Sequence, residues 1–175
     1  DGVFKVLRPG VEQRLHDELA LLPGVARFLA RRGAALRLPA LDYAGTLEGV
    51  RRLLADEVQL SQEQAHLRAA SAFYSHNPEV QIPHPLPWCA PWVTAMERID
   101  GPSLADADLP APERARLARV AIDALLAQPF WSARDPALFH GDLHGGNLRV
   151  TPDGRLAVLD WALVAPVDKA AREAL

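Results

Sequence analysis

The 175-residue chain is 49% apolar and carries a formal charge of −3, which suits one core, or one domain with a small lobe attached, and excludes a disordered polymer. That charge leaves no broad basic field for nucleic acid, and no run approaches the roughly 18 uninterrupted apolar residues of a membrane helix. Membrane contact is therefore expected to be peripheral or made by a segment outside this sequence. Cys89 is the only cysteine, so no intrachain disulfide forms and a reducing interior is permitted.

The run Val3-Phe-Lys-Val-Leu7 is expected to form a strand. Lys5 stands out within it, because of 19 basic residues only Lys5 and Lys169 are lysines. A compact ammonium on a flexible stem suits a phosphate contact from a strand, where arginine would bring a broad planar fork; a lysine snorkelling at a strand edge is the plainer alternative. The sequence begins Asp1-Gly-Val without a methionine or a visible leader, and is expected to be a fragment.

Arg8-Pro9-Gly10 breaks regular structure. Residues 11–22 and 25–32 are then expected as two helices separated by Pro23-Gly24, with a third over 46–56. Leu60, Glu63, Leu67, Ala70 and Tyr74 follow the three-and-four spacing of one helix face. Glu63 interrupts that apolar stripe, and a carboxylate facing a core is costly unless a cation pairs with it. Lys5 is the expected partner, provided this helix packs on the first strand. Glu57 competes for the same lysine, and a Glu63 that closes a capping box begun near Ser61 and faces water also stays open.

Residues 78–91 are rich in proline and are expected to be extended, with a short strand over 80–82 and a turn through Pro83, Pro85 and Pro87. A buried strand over 92–99 should run into Asp100-Gly101, a hinge between lobes. The backbone around Glu97 and Ile99 is where the adenine of a nucleotide would lie. Residues 111–128 are expected as a helix begun by Pro112-Glu113 and ended before Pro129.

The densest chemistry follows, in His140-Gly-Asp-Leu-His-Gly-Gly-Asn147 and, thirteen residues on, Leu159-Asp160-Trp161. The segments 148–150 and 156–159 read as strands joined by Pro152-Asp153-Gly154, a strong turn signal. Such a hairpin would set Asn147 beside Asp160. Gly145 and Gly146 suit a loop whose backbone departs from ordinary dihedrals. In kinase-type phosphoryl transfer, one Asp orients the attacking group while an Asn five residues later and an Asp beyond a hairpin hold Mg²⁺; Asp142, Asn147 and Asp160 fit those roles. Two blander readings remain: His140, Asp142 and His144 as metal ligands of a hydrolase, or a loop whose Asp and Asn side chains cap its own backbone.

Taken in order, Phe4-Lys-Val-Leu-Arg-Pro-Gly-Val11, the segment 57–67, Met96-Glu-Arg-Ile-Asp-Gly101 and the 140–147 loop resemble the AarF/UbiB (ADCK-like) family of atypical protein-kinase-like proteins, over nearly the whole chain. The resemblance implies an α+β, protein-kinase-like two-lobe fold, here a fragment lacking the first N-lobe strands and most of the distal C-lobe. Residues 1–100 would form a partial N-lobe and 101–175 a partial C-lobe. It further implies ATP and Mg²⁺ as cofactors, with Lys5 on the α/β-phosphates, Glu57 or Glu63 bracing it, Glu97 and Ile99 at the hinge, Asp142 catalytic, and Asn147 with Asp160 on the metal. A role in ubiquinone or isoprenoid-lipid metabolism, a lipid or quinone-precursor ligand and a cytoplasmic, membrane-associated location are implied as well. The chain departs from the family pattern at Glu57-Val-Gln59, which lacks the second acid of an acid-x-acid pair, and at Asp160-Trp-Ala162, which replaces Asp-Phe-Gly. Two alternatives are carried alongside: a small-molecule phosphotransferase of the aminoglycoside or choline kinase type, and a nucleotide-binding pseudokinase scaffold.

Overall fold

The computed structural model describes residues 1–56 and 58–174. Helices and strands are mixed, and packing separates two units: Val6–Gln59, and Asp1–Lys5 together with Leu60–Leu175. This break surrounds the helices that follow the first strand. The lobe boundary expected near residue 100 is a different partition of the chain.

In the first unit, helix α1 spans Val11–Leu19, α2 Leu22–Arg32 and α3 Tyr43–Asp56. The break between α1 and α2 falls at Ala20-Leu21, ahead of the expected Pro23-Gly24. Pro23 sits in the first turn of α2, where its missing N–H would have had no intrahelical partner. Helix α3 begins three residues before the expected Thr46, since the Asp42 carboxylate accepts the Gly45 N–H at 3.0 Å and caps the turn.

The second unit holds the larger core. Strand β1 (Gly2–Val6) pairs with β3 (Val93–Glu97). Helix α4 (Leu60–Tyr74) turns its expected face inward: Leu60, Glu63, Leu67, Ala70 and Tyr74 are all buried. Strand β2 (Val80–Gln81) runs parallel to β6 (Leu156–Val158), which pairs antiparallel with β5 (Leu148–Val150) in the register Leu148↔Val158, Arg149↔Ala157, Val150↔Leu156. The turn between β5 and β6 needs a left-handed residue and has Gly154 there, at φ 83°. Strands β4 (Ala137–His140) and β7 (Val164–Val167) form a further antiparallel pair, and α7 spans Lys169–Glu173. The sequence reading missed both strands, which are only four residues each, and Pro166 argues against a strand.

The helix expected to stop before Pro129 instead changes pitch. Helix α5 (Ala111–Ile122) passes into a π-helical turn over Asp123–Ala127, and α6 (Gln128–Trp131) continues through Pro129. The Gln128 N–H bonds the Asp123 carbonyl, five residues back. Pro129 has no N–H to offer Ala124, the carbonyl five residues behind it, and the buried Tyr74 hydroxyl takes that acceptor at 3.2 Å. Side chains of α4, α5, the π-turn, β4, β5 and β6 form one cluster around Leu67, Leu117, Leu156 and Trp161. Burial of the Tyr74 phenol pushes its pKa well up.

Candidate functional site

Strand β1 delivers Lys5 to helix α4. Its Nζ lies 2.8 Å from Glu63 Oε1 and 3.2 Å from Asp160 Oδ1, so one ammonium joins the first strand, the helix and the segment after β6. Glu63 is 4% exposed and Lys5 34%. The capping-box alternative for Glu63 therefore fails, because the carboxylate faces the interior. Glu57, its competitor for Lys5, lies outside the described residues.

Burial raises the Glu63 pKa above the ordinary carboxylate value, against the opposing pull of Lys5. For Lys5, burial works downward, but hydrogen bonding and charge from Glu63, joined by Asp160, win and the pKa rises. Glu63 Oε2 is the one buried side-chain polar atom without a hydrogen-bond partner among the described residues. Such an atom costs free energy until something donates to it or coordinates it.

The hairpin sets the two ends of the motif against each other, since Leu159 N–H donates to Asn147 O at 2.8 Å. Asp160 follows directly, with φ at 52°. That left-handed conformation is uncommon outside glycine and persists where neighbours enforce it. Here the carbonyls on both sides are held: His140 Nε2 lies 3.2 Å from Leu159 O, and His66 Nδ1, from helix α4, 3.0 Å from Trp161 O. Asp160 Oδ1 also accepts the Ala162 N–H at 3.3 Å. The departure to Asp-Trp-Ala is accommodated by burial, because Trp161 is 0% exposed and packs edge-on to His140 at 4.8 Å.

Gly145–Asn147 forms a single 3₁₀ turn capped by His144, whose ring accepts the Gly146 N–H. The expectation of unusual dihedrals at Gly145 and Gly146 is corrected: neither has a positive φ. A side chain there would be crowded, since a Cβ on Gly146 would meet the His144 ring at 2.9 Å and displace it from the turn it caps, and one on Gly145 would meet Ala105 at 3.1 Å. Asn147 is buried and its Nδ2 donates to Asp142 O at 3.1 Å and, more weakly, to Asp142 Oδ2 at 3.4 Å. This bond is the backbone-capping role weighed from the sequence, and it leaves Asn147 Oδ1 without a donor among the described residues. Asp142 itself is about half exposed, at 47%.

The hydrolase alternative fits poorly. His140 spends both ring nitrogens, giving Nε2–H to Leu159 O and accepting the Asp142 N–H at Nδ1, which fixes a neutral tautomer with no lone pair to spare. Among the described residues no group of three or more His, Cys, Asp or Glu side chains is arranged to hold a metal. One carboxylate and one amide oxygen, Asp160 and Asn147, are hard donors of the kind Mg²⁺ accepts. Such a pair binds the ion only when phosphate and water complete its shell. The residues thus fit Mg²⁺ carried with a nucleotide and do not form a stand-alone metal cage.

Glu97 and Ile99 border a separate cleft of about 370 Å³, lined by Val3, Pro83, Met96–Gly101, Arg149 and Leu159. The Glu97 side chain is committed to structure, accepting from Gln81 Nε2 at 3.0 Å and the His84 N–H at 3.3 Å. The Ile99 N–H has no partner among the described residues. At the end of this segment, Gly101 has φ 121° and a Cβ there would fall 1.9 Å from Val150 O, so only glycine lets the chain pass β5. The contributions of His66, His140 and Arg149 were not identified from sequence: hydrogen bonds to backbone carbonyls leave no residue pattern to find.

The description "ABC1 atypical kinase-like domain" matches residues 1–175. A Pseudomonas fluorescens protein named probable protein kinase UbiB is 31% identical over 153 residues, covering 85% of this chain and 28% of that protein. The Arabidopsis thaliana chloroplastic protein named Activity of BC1 complex kinase 1 is 27% identical over 180 residues, covering 100% of this chain and 25% of its own length. The solved Rv3197–erythromycin complex from Mycobacterium tuberculosis superposes with a TM-score of 0.77 at 26% identity, over 95% of this chain and 40% of that one. The chain thus spans between 25% and 28% of the length of these curated relatives.

Proposed function

Because the chain belongs to the ABC1 atypical kinase-like family, also called AarF/UbiB, we propose that it supplies the nucleotide and catalytic core of an ATP-dependent phosphotransferase or ATPase. The observation that carries this reading is the Lys5 ammonium held between Glu63 and Asp160. It positions one cation beside the carboxylate that would face the metal, where α- and β-phosphate oxygens would meet it. The base would enter the hinge cleft, against the Glu97–Ile99 backbone and the Ile99 N–H, which has no partner among the described residues. Asn147 and Asp160 would hold Mg²⁺, which when bound neutralises charge on the phosphate oxygens.

Asp142 is left to act on the acceptor hydroxyl or water. Its half-exposed carboxylate is kept in place by Asn147, so it can orient the nucleophile and take its proton without reorganising the loop. His140 holds the Asp142 backbone on one side and the Leu159 carbonyl on the other, so the acceptor-facing and metal-facing segments keep a fixed spacing. The family match favours this reading over the aminoglycoside-kinase alternative. The presence of all four polar positions, Lys5, Asp142, Asn147 and Asp160, favours an enzyme over a pseudokinase scaffold.

The family's association with ubiquinone and isoprenoid lipids extends the proposal to a lipid or quinone-precursor acceptor, and to action at a membrane surface from the cytoplasmic side. No helix among the described residues is long and apolar enough to cross a membrane, so such contact would be peripheral for this part of the protein. Calorimetry on the longer protein containing this chain tests the core of the reading. ADP and ATP should bind with Mg²⁺ and far more weakly without it, and Asp160→Asn should remove most of the metal-dependent affinity. Equal affinity with and without Mg²⁺ would overturn it.

A further inference from the structure

Position 149 lies on β5 between two buried apolar residues, Leu148 and Val150. Strand alternation therefore sends Arg149 to the opposite face, where it lines the hinge cleft. The guanidinium is partly buried, and Nη1 donates to the Gly101 carbonyl at 2.5 Å. The other arginine of the cleft, Arg98, is paired with Asp100 at 2.9 Å. Arg149 has no carboxylate partner among the described residues. A partly buried guanidinium that spends one N–H on a neutral carbonyl keeps further donors and its planar face for a ligand.

Two ligand chemistries satisfy a guanidinium, namely phosphate and the face or acceptor edge of an aromatic ring. The surroundings favour the second. Val3, Pro83, Met96, Ile99 and Leu159 supply apolar lining beside Arg149, with Glu97, Arg98 and Asp100 completing it, a mixed surface that suits a flat heterocycle with polar edges, whereas the phosphate-seeking charge, Lys5, stands two residues along β1 from Val3, about 7 Å away. We propose that Arg149 is a base-contacting residue: its planar guanidinium packs against the nucleobase and makes the cleft select a nucleotide over a bare phosphate chain. This inference rests on the nucleotide reading above and adds a specificity determinant to it.

The test compares the longer wild-type protein with Arg149→Leu and Arg149→Lys, titrated by calorimetry with Mg-ATP and with Mg-tripolyphosphate, which has the phosphates and no base. Leucine suits a strand, and lysine can still reach the Gly101 carbonyl, so Arg149→Lys retains the hinge contact if Arg149→Leu folds poorly. Arg149→Leu should bind ATP about tenfold more weakly, the scale of one partly desolvated cation–π contact, and Arg149→Lys should also lose affinity, though less, because an ammonium cannot stack flat on a base, while tripolyphosphate affinity changes less than twofold in both. Equal weakening of both probes would make Arg149 a hinge latch or a phosphate ligand and overturn the proposal. Full ATP affinity in Arg149→Lys would also overturn it, since the planar group would then be dispensable. A wild-type protein that binds no ATP would fail the nucleotide reading itself, a result distinct from normal ATP binding that the variants leave unchanged.

Discussion

Removing Lys5 should cost more stability than removing the charge it neutralises. In Lys5→Met, the 4%-exposed Glu63 carboxylate loses its only strong donor while Oε2 already lacks one. Breaking a fully buried pair costs about 3–5 kcal/mol and an exposed one about 0–1. Lys5, 34% exposed, places this pair between those limits but nearer the buried one, at about 2–4 kcal/mol, because the orphaned partner is the buried member. In Glu63→Gln, Lys5 keeps Asp160 at 3.2 Å and some water, so the loss should be about 1 kcal/mol. The two losses also differ in pH dependence. Glu63 in the Lys5→Met protein would carry a pKa raised by burial, so the native state holds a proton that the unfolded state releases. Stability then falls as pH rises above the unfolded value near 4.5, by about 1.4 kcal/mol per unit until the folded carboxyl ionises. Urea unfolding at pH 5 and pH 8 measures this. The Lys5→Met deficit should shrink at pH 5, and adding Glu63→Met should restore most of the lost stability. A larger loss in Glu63→Gln than in Lys5→Met, or a deficit independent of pH, would refute the reasoning.

In the longer protein, Asp142→Asn should leave ATP affinity within a few-fold in calorimetry while lowering phosphate transfer or release at least ~10²-fold, the lower end for a lost general base; unchanged turnover would make Asp142 a loop residue. His66→Leu removes a donor to the Trp161 carbonyl, worth about 1 kcal/mol, so amide exchange over residues 160–163 should quicken by roughly tenfold or less, and His66→Asn should restore protection by placing a donor at the same branch point. At alkaline pH the raised pKa of Lys5 means its stabilisation is intact below the unfolded value near 10.5 and is lost as pH rises through the folded one; the wild-type protein should therefore lose stability above that pH more steeply than Lys5→Met in a denaturant series. Tyr74→Phe should cost about 1–2 kcal/mol in thermal or urea unfolding, because it strands the Ala124 carbonyl at the π-turn.

Much of the larger unit was legible because its signals are local or periodic. The stripe from Leu60 to Tyr74 identified the face of α4, and the anomaly of Glu63 within it pointed to a buried cation. Pro152-Asp153-Gly154 marked the turn that joins β5 to β6. What escaped were features decided by tertiary partners. Pro129 reads as a helix end, yet the chain continues because Tyr74 takes the carbonyl that the proline cannot serve. Strands β4 and β7 are too short for periodicity to reveal, and each exists by pairing with the other. At the site, residue types specified Lys5, Asp142, Asn147 and Asp160 as candidates, but not that His66 and His140 would grip the carbonyls around Asp160. Arg149 in an apolar strand was a local inconsistency of the kind that marks a site, and only the cleft gives it meaning.

The π-turn also anchors one end of α4. Tyr74, at the far end of the helix, is locked into the core and bonded to the Ala124 carbonyl, while Glu63 lies near the opposite end and meets a partly solvated lysine. The two positions are eleven residues apart, about 16 Å along the axis at 1.5 Å per residue. The Glu63 end is held as well, since Leu60 is fully buried and Gln64 Nε2 donates to the Ala90 and Val93 carbonyls at 2.9 and 3.1 Å, so Lys5 meets a carboxylate whose helix is pinned on both sides of it.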